Sequence, residues 1–141
     1  MAMLVEAKMI SPAITTTMTT PISEALRVMT ERIIRRLPVV DDQGRLVGIV
    51  THHDIDRAMR APGVIAYTPV EWVMTRNPVS VDRSKRLADA VVMMKKYKVS
   101  CLPVLEGEEV VGILSVSDIM NLCYELLEEK EIKEQEQVDP S

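Results

Sequence analysis

Two short stretches pair a hydroxyl residue with a carboxylate three positions later: Thr51 and Asp54 in GIVTHHD (Gly48–Asp54), and Ser115 and Asp118 in GILSVSD (Gly112–Asp118). A carboxylate is a strong acceptor for paired hydroxyls, because a charged acceptor strengthens each hydrogen bond. A helix beginning at such a phrase turns its free N–H groups and positive dipole end outward, which suits an anion. The same spacing is also that of a capping box, in which hydroxyl and acid satisfy the first turn of the helix. Both readings stand, and they are compatible, since a cap that faces a cleft can still receive a ligand. Gly48 and Gly112, lacking side chains, would let backbone or ligand come close to the strand before each phrase.

The residues around the two phrases differ. The first copy carries Arg32, Arg35, Arg36, His52 and His53, where the second has residues such as Cys101, Val116 and Ser117. Arg36 is the best candidate for a phosphate contact, because its planar fork matches phosphate oxygens. His52 is the next. Arg32 and Arg35 read as an exposed helix end, and Lys95, Lys96 and Lys98 as a solvated helix face. This asymmetry predicts one phosphate-binding cleft and one weaker or empty cleft. Adjacent residues in extended chain point to opposite sides, and no further His or paired Cys completes four ligands, so His52–His53 is not read as a metal site. With two His in all and the Ser residues in caps and turns, no nucleophile–base pair emerges and catalysis is not expected.

Composition narrows the classes. The chain has 141 residues, a formal net charge of −4, ten Met and no Phe, so its core is aliphatic and thioether. The net charge argues against general nucleic-acid binding, which needs a basic face. Apolar runs are too short to span a membrane, and Glu6 and Lys8 interrupt any signal-peptide core, so a cytoplasmic protein is expected. Cys101 and Cys123 show no CxxC spacing and are expected to be structural thiols in a reducing compartment.

The elements that carry the phrases are themselves repeated. A shift of 65 residues lays Met9 on Met74, Ala25 on Ala90, Met29 on Met94 and Leu37-Pro38-Val39 on Leu102-Pro103-Val104. After one residue is lost in a turn, Val47-Gly48-Ile49 meets Val111-Gly112-Ile113. Each copy gives a helix (capped at Thr20-Pro21, or beginning at Ser84), a hairpin and a second helix. Short extended pieces around Ile14–Thr16 and Val79–Val81 complete the order β-α-β-β-α. The expected organisation is an α/β fold with repeat 1 over residues 1–61, a linker over 62–73, repeat 2 over 74–128 and a charged helix end and tail over 129–141. A unit of this size is marginal alone, so the copies are expected to pack sheet against sheet about a pseudo-twofold axis. Trp72 is read as an anchor for the linker, and Met18, Met59, Met93 and Met120 as core residues or a dimer surface.

The strand beginning L-P-V, the following V-G-I and the T/S-x-x-D phrase, all present twice, resemble the cystathionine β-synthase (CBS) domain over roughly Met9 to Glu128. Two such domains in tandem form a CBS pair, or Bateman module. The resemblance implies a regulatory, non-enzymatic module that binds an adenosine-containing ligand (AMP, ADP, ATP or S-adenosylmethionine), requires no cofactor, forms a homodimer and acts on a separate, unidentified protein. It places Thr51, Asp54, Ser115 and Asp118 at the nucleotide, with Asp accepting from the ribose hydroxyls. Arg36, His52, Thr16 and Val81 complete the candidate set. The rival expectation is an interaction module whose phrases serve as caps alone.

Overall fold

The computed structural model describes residues 2–138. The first repeat comprises β1 (Thr16–Thr17), α1 (Ile22–Arg32), β2 (Arg36–Val40), β3 (Leu46–Thr51) and α2 (His52–Met59). A joining segment holds a 3-10 turn, Val70–Trp72, and β4 (Thr75–Arg76). The second repeat comprises β5 (Val81–Asp82), α3 (Leu87–Tyr97), β6 (Cys101–Glu106), β7 (Glu109–Ser115) and α4 (Val116–Val138). The order in each copy is the expected β-α-β-β-α.

Helix phase follows burial: Ile22, Ala25 and Met29 are buried on α1, and Leu87, Ala90 and Met94 on α3. The starts of these two helices differ from expectation. α1 begins after Pro21 without a side-chain cap, because the Thr20 hydroxyl bonds Thr17 Oγ1 at 2.9 Å instead. α3 begins only at Leu87, because the Ser84 hydroxyl turns back to Asp82 at 2.6 Å. The leading strands β1 and β5 are two residues long and sit at the far ends of the expected pieces.

Within each sheet the leading strand runs parallel to its neighbour, and an antiparallel hairpin follows, with Val39 opposite Gly48 and Val104 opposite Gly112. The two repeats then exchange segments. The stretch before repeat 2 adds β4 to the outer edge of β3, while the stretch before repeat 1 bridges β7 through Ile10 and Ile113. The glycines make this exchange possible. A Cβ placed on Gly48 would lie 2.6 Å from Met74 Sδ and 2.9 Å from the Thr75 carbonyl oxygen. One on Gly112 would lie 2.7 Å from Met9 Sδ and 2.9 Å from the Ile10 carbonyl oxygen. The close approach expected at these positions is thus backbone and methionine.

Each repeat has its own apolar core, closed by a residue from the exchanged segment. Val70 and Met74 join Ile22, Met29, Leu37, Val39, Val50 and Ile55; Val5 joins Leu87, Met94, Leu102, Val104 and Leu114. Bridges Pro21–Pro69 and Leu4–Arg86 occupy equivalent places in the two copies. Arg45 and Glu109 are themselves equivalents, 64 positions apart, and they bridge each other, which marks the pseudo-twofold axis.

Two further expectations are corrected, at Trp72 and Cys123, and the four Met residues divide between the two places open to them. Trp72 is 76% exposed, and the linker is held instead by Val70, fully buried. Cys123 is exposed on α4, whereas Cys101 is buried. Met18 and Met93 pack on the two cores, leaving Met59 and Met120 exposed. The charged end is one continuous helix with the body of α4 through Val138, and residues 139–141 lie outside the described part. Among the described residues no helix is long and apolar enough to cross a membrane.

Candidate functional site

Both hydroxyl–acid phrases fold as helix caps. Asp54 Oδ2 accepts from the Thr51 N–H at 2.9 Å, and Thr51 Oγ1 accepts from the Asp54 N–H at 3.0 Å. In the second copy Asp118 Oδ2 accepts from the Ser115 N–H at 2.7 Å and lies 3.0 Å from the Ser115 hydroxyl, and the Asp118 N–H reaches Ser115 Oγ at 3.3 Å. The capping expectation is therefore met in both copies. The two acids part company at their other oxygen. Arg57 Nη2 approaches Asp54 Oδ1 at 3.4 Å. Asp118 Oδ1 has no hydrogen-bond partner among the described residues.

Among the spaces between the repeats, two are mapped onto each other by the repeat operation and carry the hydroxyl–acid phrases; a third, of about 450 Å³ beside the Arg45–Glu109 bridge, carries neither. A cleft of about 310 Å³ brings Ser115, Asp118 and Ile113 of the second copy against Ile10, Pro12–Ile14 and Ile33–Arg36 of the first. A cleft of about 350 Å³ brings Thr51 and Ile49 of the first copy against Thr75, Asn77–Val79 and Lys98–Cys101 of the second. Each phrase thus faces the helix–strand junction of the other copy. Both volumes fall in the range of small-molecule sites, about 300–1,000 Å³.

This crossing settles where the basic residues go. Arg35 of the first copy enters the cleft of Asp118 and not that of its own copy's Thr51, whereas Arg36 reaches both. The walls there are aliphatic, and Ile33 stands at the rim, 91% exposed and in the left-handed region at φ 56°. Its counterpart in the Thr51 cleft is Lys98, at φ 54°. The Thr51 cleft is correspondingly richer in hydroxyl and amide groups: Thr51, Thr75, Asn77 and Ser100. Arg36 and Cys101, equivalents in the repeat, line both clefts. Arg36 Nη2 donates to Ser100 Oγ at 2.7 Å, and burial pushes the Cys101 thiol up while the Arg36 charge works against that rise.

Four of the eight candidate residues line the clefts: Ser115, Asp118, Thr51 and Arg36. The other four do not. Asp54 is turned into its cap and toward Arg57. His52 Nδ1 lies 3.8 Å from Asp56 Oδ2 on the next turn, which directs it along α2. Thr16 sits in register with Val39 on β1, and Val81 is 4% exposed within the second core. The lining falls two or three residues earlier, at Ala13–Ile14 and Pro78–Val79. Sequence reading missed Ile10, Ile33, Ile34 and Arg35; the signal was present in the copies' disagreement at Ile33/Lys98 and Arg35/Ser100.

Known proteins share this fold. A family model described as the CBS domain matches residues 5–61 and again 70–125. A CBS domain-containing protein of Dictyostelium discoideum is 30% identical over 139 residues, covering 91% of this chain and 96% of that protein. L-aspartate semialdehyde sulfurtransferase of Methanocaldococcus jannaschii is 33% identical over 120 residues, 84% of this chain; the match spans only 23% of that longer protein. The crystal structure of the CBS domain pair of protein MJ0100, in complex with 5′-methylthioadenosine and S-adenosyl-L-methionine, superposes with a TM-score of 0.79 at 32% identity, covering 86% of this chain and 96% of the other. Two matched repeats, exchanged strands and two equivalent clefts make this chain a member of the CBS domain family, folded as a CBS pair.

Proposed function

We propose that this CBS pair is a regulatory sensor for an adenosine-containing nucleotide, with AMP, ADP or ATP as the ligand, held in the cleft of Ser115 and Asp118. The observation that carries the reading is the company Asp118 keeps. Its Oδ2 is held by the Ser115 N–H and hydroxyl while its Oδ1 has no hydrogen-bond partner among the described residues, aliphatic walls at Ile14, Ile34 and Ile113 flank the space for a base, and Arg35 and Arg36 line the same cleft. The carboxylate accepts from the ribose hydroxyls, and the two guanidinium groups meet the phosphate. The N-terminus of α4 adds its dipole toward the anion. The bound adenosine compounds of the MJ0100 pair support the ligand class.

The module is non-enzymatic and requires no cofactor. Occupancy changes how repeats or subunits pack, and a separate protein reads the change. The proposed homodimer forms through the outer face of α4, a reading supported by Met120, Tyr124 and Leu127, which are exposed there at helical spacing. That same face favours the second reading, an interaction module without a physiological nucleotide.

A thermal-shift panel with AMP, ADP, ATP, NAD and S-adenosylmethionine, with and without Mg²⁺, separates the two. A ligand at about 100 times its Kd adds roughly 2.7 kcal/mol to the folded state, enough to move the midpoint by several degrees. A shift confined to one ligand class supports the sensor. A flat panel on folded, ligand-free protein supports the interaction module.

A further inference from the structure

Arg36 stands where the two clefts meet. It is half-buried at the start of β2, paired in register with Thr51, and it lines both spaces. Each cleft also has one cation that the other lacks: Arg35 in the Asp118 cleft and Lys98 in the Thr51 cleft, both exposed. Arg36 is the charge common to them. Its Nη2 donates to Ser100 Oγ at 2.7 Å, a neutral hydroxyl that belongs to the Thr51 cleft.

A guanidinium prefers two charged phosphate oxygens to one neutral hydroxyl, because its fork engages them in parallel and each bond is charge-assisted. A phosphate in the Asp118 cleft therefore draws Arg36 away from Ser100 and leaves Lys98 as the cation of the Thr51 cleft. A phosphate in the Thr51 cleft holds Arg36 beside Ser100 and leaves Arg35 as the cation of the other.

We propose that Arg36 is a single phosphate contact shared by both clefts, so that a phosphate-bearing ligand in one weakens the binding of a phosphate-bearing ligand in the other. This rests on the nucleotide reading above and adds a coupling to it. The antagonism is reciprocal, as any binding coupling must be. A ligand with the same nucleoside and no phosphate makes no claim on Arg36, and fills both clefts independently.

The test is calorimetric titration of the full chain with AMP and, separately, with adenosine. The wild type is expected to take both ligands in two steps, with the separation between the AMP steps wider than that between the adenosine steps by roughly 5- to 150-fold, the usual span of such couplings. Ser100→Ala frees Arg36 and is expected to tighten the first AMP step; a residue serving only as packing would not. Arg36→Gln is expected to weaken AMP, close the gap between its steps and leave adenosine unchanged. A second AMP step too weak to observe is the limiting case of the same antagonism, provided two adenosines still bind. AMP steps no further apart than those of adenosine, a single adenosine site, or AMP titrations of both variants that match the wild type overturn the shared contact while leaving the nucleotide reading in place. Absence of binding by AMP and adenosine alike overturns both.

Discussion

Met9 Sδ occupies the place that a side chain on Gly112 would need: a Cβ there would lie 2.7 Å from the sulfur and 2.9 Å from the neighbouring Ile10 carbonyl oxygen. The contact joins the segment before repeat 1 to the last strand of repeat 2, so it holds the exchange together. A flexible thioether can move aside, but a backbone carbonyl in a bridged strand cannot.

Gly112→Ala is therefore expected to destabilise the fold by about 1–3 kcal/mol, the usual cost of overpacking. Gly107→Ala meets nothing within 4 Å and suffers only from its φ of 64°, which costs roughly 1–2 kcal/mol for an L-residue. Urea midpoints of the two variants check this, and the diagnostic is partial rescue of Gly112→Ala, but not of Gly107→Ala, by a smaller residue at position 9.

Ile33 ends α1 in the left-handed region although it is β-branched and 91% exposed. Its N–H caps the helix by reaching the Met29 and Thr30 carbonyls, and its side chain rims the Asp118 cleft. Replacing it by glycine relieves the backbone, so Ile33→Gly is expected to raise stability by about 1 kcal/mol. The same change removes an apolar wall and is expected to weaken nucleotide binding several-fold. Opposite signs in thermal denaturation and ligand titration are the outcome to look for.

The two cysteines should separate by reactivity. Cys123 is exposed on α4, while Cys101 is buried where the clefts meet, with its thiol pushed up by that burial. Since the thiolate is the reactive form, iodoacetamide at mildly alkaline pH is expected to modify Cys123 first and Cys101 much more slowly. AMP should slow Cys101 further without touching Cys123. Mass-spectrometric time courses with and without AMP measure both rates.

Acid should weaken the fold in part through Asp82, whose carboxyl is held below its ordinary value first by the Ser84 hydroxyl and then by the Ser84 N–H. A carboxyl lowered in the folded state contributes stability above the unfolded value of about 3.9, and loses it as pH falls through the lower folded value. Denaturation midpoints between pH 7 and pH 3 are expected to fall less for Asp82→Asn than for the wild type.

The repeat was legible because it is written in residue identity: the paired Gly, Pro and Asp positions gave the element order, the hairpins and the helix phase. Local competition hid some boundaries. Thr20 and Ser84 look like caps, but nearer partners at Thr17 and Asp82 take their hydroxyls. Spacing singles out Thr51 and Asp118, which line the clefts, but not Ile10, Ile34 and Arg35, whose place there depends on which copy crosses which. Asp54 and Asp118 look equivalent in sequence, and the second oxygen of each distinguishes them only in three dimensions. Val70 rather than Trp72 anchors the linker because it is the repeat equivalent of Val5, each closing its own core, and burial follows the pseudo-symmetry rather than side-chain size.

That difference between the two acids gives the most direct measurement: the affinity of AMP for wild type, Asp118→Ala and Asp54→Ala, each checked for its unfolding midpoint. Both variants lose a cap worth about 1 kcal/mol. Loss of charged hydrogen bonds to the ribose, about 1.5–3 kcal/mol, weakens AMP by roughly ten- to a hundredfold in Asp118→Ala. In Asp54→Ala the tighter site is expected to bind as in the wild type. Asp118→Ala binding AMP as tightly as wild type, or folded wild type binding none, would contradict the assignment of the Asp118 cleft as the nucleotide site.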